Sequence, residues 1–249
     1  MNKFTFNEKT HRYYWGDEQM TGVTTIIGVI GKGDGITQWA ANCAVDYIEK
    51  KGLAQYASKQ GEVGGVIAYS ASIETFLEAR TAWKDERDKA ALWGQITHKG
   101  VEIWIATKEI PTTVTLNDKE YKIEPEHKEA IERFVKWAED NKVKFTESEK
   151  KMYDPEMFIA GTADFVCEID GRKYIGDLKT GKSIYYEAFV QCAAYRHLLE
   201  LMGEKDFNGS IIVHLPQKGE LETHERFDHE TDLAVFKAAL LIYRTKQQI

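Results

Sequence analysis

Two acidic residues and a lysine in the second half of the chain have the types and spacing that metal-assisted hydrolysis requires. Asp164 lies in AGTADFVCEI, whereas Asp177 and Lys179 lie in KYIGDLKT. The Asp170-Gly171 pair between these runs is a strong hairpin signal, so we expect Asp164 and Asp177 on neighbouring strands. Two close carboxylates repel each other unless a cation or a proton intervenes, and their oxygen atoms favour a hard divalent cation.

Lys179 follows Asp177 with one residue between them, and such side chains project from the same face of a strand. The ammonium would therefore lie beside the expected metal site, where it can orient a water molecule or stabilise charge developing on a phosphate. A metal ion there polarises the phosphorus–oxygen bond and lowers the pKa of its water. Because Asp-x-Lys alone is common at solvated strand ends, this interpretation depends on agreement with residues elsewhere.

Three segments together resemble the PD-(D/E)XK nuclease superfamily in its RecB-like form. The first is GTADFVCEIDGRKYIGDLKTGK, in which Ala163 replaces the family's proline, a residue that the RecB-like branch often lacks. The second is QCAAY, similar to the branch's Gln-x-x-x-Tyr motif, where Gln191 and Tyr195 share a helix face. The third is GQITHKGVEIW, which resembles the Gly-x-x-x-His helix and ends its motif at His98.

The resemblance implies a role for each matching residue. Lys179 would position the attacking water, and Gln191 and Tyr195 would contact the DNA phosphate and support the metal site. Mg²⁺ is the implied cofactor, with Mn²⁺ as a substitute. Its ligands would be the side chains of His98, Asp164 and Asp177 and the backbone carbonyl of Leu178.

The segment ESEKKMYD adds further candidates on the first predicted core strand. Family members carry an acidic residue there before a hydrophobic position, and Glu149 fits better than Glu147, as a catalytic or second-metal carboxylate. Lys150 and Lys182 are predicted to contact nucleic-acid phosphates. Further candidates for such contacts are Lys144, Lys151, Arg172 and Lys173.

Hydrophobic periodicity predicts the elements that must position these residues. A hairpin is expected within 3–15, and 22–27 is expected to be a strand or a turn into a helix. Strands are predicted at 142–154, 157–170, 173–180, 209–215 and 220–227. Helices are predicted at 36–51, at 66–93 as one or two, at 94–108, 124–141, 185–202 and about 230–246.

This order predicts an α/β fold with a central mixed sheet flanked by helices. The resemblance implies a restriction-endonuclease-like core with a helical N-terminal region, in a single nuclease domain over 1–249. Its expected parts are a hairpin and helical region (1–93), the catalytic core (94–228) and a C-terminal helix (229–249).

Composition limits the partners and the cofactors. The net charge of −7 disfavours broad, non-specific binding to a polyanion, so a nucleic-acid footprint would be confined and metal-assisted. Three cysteines fall short of the four thiolates of an iron–sulfur cluster, which we therefore do not expect. No apolar run approaches the roughly 18 residues of a membrane span, and a secretory signal is not evident. These patterns predict a cytoplasmic protein, in the host cytoplasm if it is phage-encoded.

The leading segments GVTTIIGVI and ITQWAANCAVDYIE are similar to those of phage-encoded members and of the mitochondrial genome maintenance exonuclease group. The resemblance implies a DNA exonuclease acting on single-stranded or end-bearing DNA in recombination or repair, with a recombination or single-strand-binding protein as a candidate partner. Alternatives are an endonuclease, a recombination or CRISPR-adaptation type nuclease, a non-catalytic DNA-binding or assembly protein, and a metal-dependent hydrolase of another substrate. Polarity, strand preference, the number of metal ions and oligomeric state stay open.

Overall fold

A computed structural model describes residues 3–31, 35–53 and 73–248 of the chain. The chain divides into two compact units, Met1–Gly31 with Gly94–Ile249, and Lys32–Trp93. The first 31 residues, which the sequence groups with the helical N-terminal region, therefore belong to the same unit as the strands and helices after Gly94.

The strands of the described ranges all belong to the larger unit. Their bounds are β1 Phe4–Asn7, β2 Arg12–Trp15, β3 Glu18–Gln19, β4 Thr21–Gly22, β5 Thr113–Leu116, β6 Lys119–Lys122, β7 Lys144–Asp154, β8 Ile159–Ile169, β9 Arg172–Lys179, β10 Phe207–His214 and β11 Glu222–Arg226.

Helices occur in both units. Their bounds are α1 Val23–Ile27, α2 Gly35–Ile48 with a π-helical turn at Glu49–Leu53, α3 Ile73–Ala79, α4 Ala82–Thr107, α5 Pro125–Asp140, α6 Glu187–Leu201 and α7 His229–Lys246. Among the described residues no helix is both long enough and apolar enough to cross a membrane.

The main sheet of the described chain is mixed. Strands β11, β10, β9 and β8 are neighbours in that order, and β8 also pairs with β7 and with β4. The β9–β10 and β4–β8 pairs are parallel, whereas β7–β8, β8–β9 and β10–β11 are antiparallel. A parallel pair needs a crossover connection, and α6 lies in the one between β9 and β10. The prediction of a mixed sheet flanked by helices is confirmed.

Consecutive residues of β8 face two different cores, as alternation along a strand requires. Val166 belongs to a buried cluster that includes Leu198 of α6 and Phe236 of α7. Phe165 instead packs among aromatic rings, 5.4 Å from Phe145 of β7 and 6.2 Å from Phe134 of α5 between ring centroids. The sheet is therefore covered by helices on both faces.

Most predicted elements are present with shifts of a few residues at their ends. The prediction of a separate helix at 94–108 was wrong, because α4 runs without a break from Ala82 to Thr107 through Gly94. A glycine inside a helix lowers its intrinsic stability but does not end it when packing holds the backbone. The β5–β6 hairpin was not predicted, and residues 66–72 of the predicted helical stretch lie outside the described ranges.

Candidate active site

The candidate site lies where β8 and β9 separate. The antiparallel ladder between them runs from Ile169 opposite Arg172 to Phe165 opposite Gly176. Asp164 and Asp177 are the next residues on the two strands, so the carboxylates lie on neighbouring strands, as the spacing predicts. The connecting turn uses positive φ at Asp170 (49°) and Gly171 (75°), which suits Asp-Gly.

Asp164 is oriented by the backbone of the facing strand. Its Oδ2 accepts a hydrogen bond of 2.7 Å from the Leu178 N–H. His98 of α4 lies beside it, with Nδ1 3.6 Å from the same oxygen. These contacts bring Asp164, His98 and Leu178 together. The role of the Leu178 carbonyl as a metal ligand stays a prediction.

Asp177 belongs to a network that continues into α6. Its Oδ2 lies 2.6 Å from Lys179 Nζ, and its side chain is only 2% exposed. Gln191 Nε2 donates to Asp177 Oδ1 over 3.2 Å and to Tyr195 Oη over 2.8 Å, and Gln191 Oε1 accepts from Lys179 Nζ over 3.4 Å. A single amide therefore connects the carboxylate, the ammonium and the phenol.

Tyr195 can join this network because residue 161 is a glycine. A Cβ at position 161 would lie 2.4 Å from Tyr195 Cε1, which is closer than two carbon atoms can approach. The absence of a side chain at this position of β8 thus lets the ring of Tyr195 approach the strand closely and reach Gln191. This requirement was not predicted from the sequence, although Gly161 stands in the GTAD segment.

These side chains line a cavity of about 580 Å³. The predicted residues on its wall are His98, Asp164, Asp177, Lys179, Gln191 and Tyr195. The N-terminal hairpin supplies another part of the wall through Thr10, His11, Arg12 and Tyr13.

The hairpin wall is the part of the site that sequence reasoning missed. Tyr13 Oη and Thr162 Oγ1 share a hydrogen bond of 2.9 Å across a separation of 149 residues. The RYYW run signalled a strand but not its neighbour, because a contact so distant along the chain leaves no local pattern.

Glu149 lies near the site but not on the cavity wall that the structure describes. It falls between Ser148 and Lys150, which pair with Phe165 and Ala163, so it faces Asp164 across the β7–β8 ladder. Its φ of 50° is unusual for a residue with a side chain. Burial raises its pKa to about 7, and the negative charges of Asp164 and Glu102 add to this rise.

The predicted phosphate-contacting lysines are outside the described cavity wall. Lys150 Nζ lies 2.9 Å from Glu147 Oε1, and Lys182 is exposed in the segment between β9 and α6. Lys173 Nζ lies 2.6 Å from Glu204. The structure therefore does not bring these cations together with the carboxylates, and their contact with nucleic acid stays a prediction.

Burial dominates the electrostatics of the site. It raises the pKa of Asp177 to about 6, with Lys179 opposing the rise and Asp164 adding to it. It also raises the pKa of Asp164, again against the effect of Lys179. Desolvation and the charge of Lys179 lower the pKa of His98 to about 4. At neutral pH the imidazole is therefore uncharged, which is the form that can bind a metal ion.

The carboxylate and imidazole groups of the site are of the kinds that bind divalent cations. No set of three or more His, Cys, Asp or Glu side chains within the described ranges is already arranged as a metal site. Asp177 Oδ2 is buried without an aligned hydrogen-bond donor in the described structure, although Lys179 Nζ is close. The buried Asp177 and the half-buried Asp164 have raised pKa values, so a cation would balance their negative charges, and the neutral imidazole of His98 could serve as a further ligand.

Comparison with known proteins adds little to this geometry. The chain matches no protein-family model and no curated protein. Among solved structures, one titled "Crystal structure of SSO0001" aligns over 80% of this chain and 85% of its own at 13% identity. Its TM-score of 0.30 is too low to support an argument about fold or function.

Proposed function

We propose that this chain is a Mg²⁺-dependent DNA exonuclease with a RecB-like PD-(D/E)XK core. The observation that carries the proposal is the Gln191 network, which joins Asp177, Lys179 and Tyr195 on the wall of a cavity shared with Asp164. An isolated Asp-x-Lys at a strand end would need no such partners, whereas these residues come from β8, β9 and α6.

The order of elements supports the proposed core. The meander of β7, β8 and β9 is followed by α6, and β10 then pairs in parallel with β9. This crossover places Gln191 over the end of β9, beside Asp177. Apart from His98 on α4, the motif residues thus derive from consecutive elements of one sheet and its crossover helix.

Asp164, Asp177 and His98 would hold the metal ion. When bound, Mg²⁺ would lower the pKa of a water molecule and offset charge on the phosphate. The chain's own groups would bind the cation, and the Leu178 N–H holds the Asp164 carboxylate in its position on the cavity wall.

Lys179 would hold a proton at the reaction centre. Burial alone would lower its pKa, but the charges of Asp177 and Asp164 raise it above the ordinary value. The ammonium is therefore charged at neutral pH and can donate to the attacking water or to a phosphate oxygen. Asp177 Oδ2 holds the ammonium at 2.6 Å, and Gln191 Oε1 accepts a weaker hydrogen bond from it.

The first test is degradation of defined DNA by the full chain. Linear single strands, linear duplexes and closed circles, each uniformly labelled, are incubated with Mg²⁺ or with EDTA. We expect Mg²⁺-dependent release of small products from linear DNA and none from circles. Cleavage of circles would replace the exonuclease with an endonuclease, and no hydrolysis of any DNA would contradict the proposal.

A further inference from the structure

The β1–β2 hairpin shares the cavity with the proposed catalytic residues, yet the nuclease motifs give it no role. Its residues Thr10 to Tyr13 line the same space as Asp164 and Asp177. The hairpin therefore lies where a substrate strand would pass on its way to the carboxylates.

Arg12 differs from Lys179 on this wall because no carboxylate of the described residues forms an ion pair with it. Lys179, another cation of the wall, lies 2.6 Å from Asp177 and is already ion-paired. Arg12 is exposed, and within the described ranges its guanidinium has no carboxylate within ion-pairing distance. The described wall thus carries a positive charge without an ion-pair partner in the same cavity as the carboxylates of Asp164 and Asp177.

A phosphodiester strand needs such a charge in this cavity. Its own negative charge would be repelled by Asp164 and Asp177, and the chain as a whole carries a net charge of −7. A guanidinium offers planar paired N–H donors that match the oxygens of a phosphate and binds them with charge-assisted hydrogen bonds. An exposed arginine on the same cavity wall as these carboxylates therefore gives a phosphate a favourable place to bind.

The hairpin holds Arg12 in a fixed place relative to the carboxylates. Tyr13, the next residue, bonds through Oη to Thr162, which lies just before Ala163 and Asp164 on β8. Phe4 stacks on Tyr153 of β7 with ring centroids 4.3 Å apart. Two separate strands of the main sheet thus anchor the backbone of the hairpin, and a binding residue on an anchored backbone loses less entropy when a phosphate binds.

We propose that Arg12 is a phosphate-binding residue of the site, and that it holds the nucleic-acid backbone beside Asp164 and Asp177. The inference depends on the proposed function for the identity of the ligand. It assigns Arg12 to strand binding and positioning and gives it no part in bond cleavage.

The test measures binding without hydrolysis. A fluorescein-labelled single strand of about 12 nucleotides is titrated with the full chain in EDTA, and anisotropy gives the affinity from about 50 to 200 mM salt. The variants are Arg12→Gln, Arg12→Lys and the control Lys3→Gln. The control removes the same charge from the beginning of the same hairpin, outside the described cavity wall.

Loss of one phosphate contact reduces the slope of log affinity against log salt by about 0.7 for a single strand, or roughly fivefold in affinity near 0.1 M salt. We expect this reduction for Arg12→Gln, a largely retained slope for Arg12→Lys, and the wild-type slope for Lys3→Gln. Equal melting temperatures would show that all variants fold.

The failure of this inference is distinguishable from failure of the proposed function. If the wild-type chain degrades linear DNA but Arg12→Gln keeps the full salt slope, Arg12 is not a phosphate ligand and the nuclease proposal stands. If the strand binds with an Arg12-dependent slope but is never hydrolysed, the inference holds and the nuclease proposal fails. If the wild-type chain does not bind the strand in EDTA, the inference about Arg12 is overturned, and the nuclease proposal is decided by the Mg²⁺-dependent degradation of linear DNA alone.

Discussion

At the scale of single residues, the candidate site places ionisable side chains in surroundings that disfavour their charged forms. Asp177 is 2% exposed and its pKa is raised to about 6 by burial, even with Lys179 beside it. Burial also raises the pKa of Glu149, to about 7. Such groups destabilise the folded chain unless a cation binds, so we infer that they are retained for chemistry rather than for folding.

Glu149 offers a prediction about stability and pH. Because its folded pKa of about 7 lies above the ordinary 4.5, its contribution to stability is full below pH 4.5 and is lost as the pH rises through 7. Glu149→Gln should therefore stabilise the metal-free chain at pH 8 by on the order of 1 kcal/mol. Melting temperatures in EDTA should differ at pH 8 and agree near pH 4.5. A variant that is less stable than the wild type at pH 8 would contradict this account.

Tyr195→Phe tests the network around Gln191. It removes the oxygen that accepts from Gln191 Nε2, and loss of a supporting partner of this kind reduces activity by about 10- to 100-fold. The control is Tyr174→Phe, which removes the part-buried hydroxyl that donates a hydrogen bond of 2.8 Å to Glu225 instead. Both should lose about 1 kcal/mol of stability, but only Tyr195→Phe should lose DNA hydrolysis. Equal losses of activity would remove the special role of Tyr195.

At the scale of elements, the geometry depends on where β8 stops pairing with β9 and where α6 lies against β8. The ladder ends at Phe165 opposite Gly176, which leaves Asp164 free to face Leu178. Close contact of α6 with β8 is possible because Gly161 carries no side chain under Tyr195. The strands thus set the distance between the carboxylates, and the helix sets the position of Gln191.

Gly161→Ala tests this contact between a strand and a helix. Its Cβ would meet the ring of Tyr195 at 2.4 Å, and overpacking of this kind costs about 1–3 kcal/mol. The displaced ring should also weaken the bond to Gln191 and reduce DNA hydrolysis. The loss of activity should be smaller in a Tyr195→Phe background, where that bond is already absent. If the two substitutions reduce DNA hydrolysis additively, Gly161 does not act through the hydrogen bond between Tyr195 and Gln191.

The elements that the sequence predicted well are those with strong local signals. Asp170-Gly171 between two β-type runs identified the β8–β9 hairpin, and Pro125 marked the beginning of α5. The β5–β6 hairpin was missed because its strands have four residues each and one of them is largely exposed. The hairpin wall was missed because the bond between Tyr13 and Thr162 spans 149 residues.

At the scale of the whole molecule, metal binding should be linked to folding. A ligand that binds only the folded state stabilises it by about 2.7 kcal/mol at a concentration 100 times its Kd. For a chain of 249 residues this corresponds to an increase in melting temperature of about 5–10 °C. The units Met1–Gly31 with Gly94–Ile249 and Lys32–Trp93 need not melt together, so the transition that includes the site is the one expected to move.

Mn²⁺ and Mg²⁺ titrations followed by differential scanning fluorimetry measure this shift. The wild-type chain should be stabilised by either ion, whereas Asp177→Asn, which removes a buried charge from the site, should lose most of the shift. A matched increase in ionic strength from a monovalent salt controls for non-specific charge screening. An equal increase in the melting temperature of Asp177→Asn would show that the metal ion binds outside the proposed site.

The most direct test of the central claim is the rate of Mg²⁺-dependent hydrolysis of linear DNA by Lys179→Ala, measured beside the wild type and Lys136→Ala. Lys136 is also ion-paired, 2.6 Å from Asp140, but lies exposed on α5. We expect a loss of about 100- to 1,000-fold for Lys179→Ala, in the range found when a charge-stabilising donor is removed, and no loss for Lys136→Ala. Wild-type rates in a folded Lys179→Ala chain would contradict this claim.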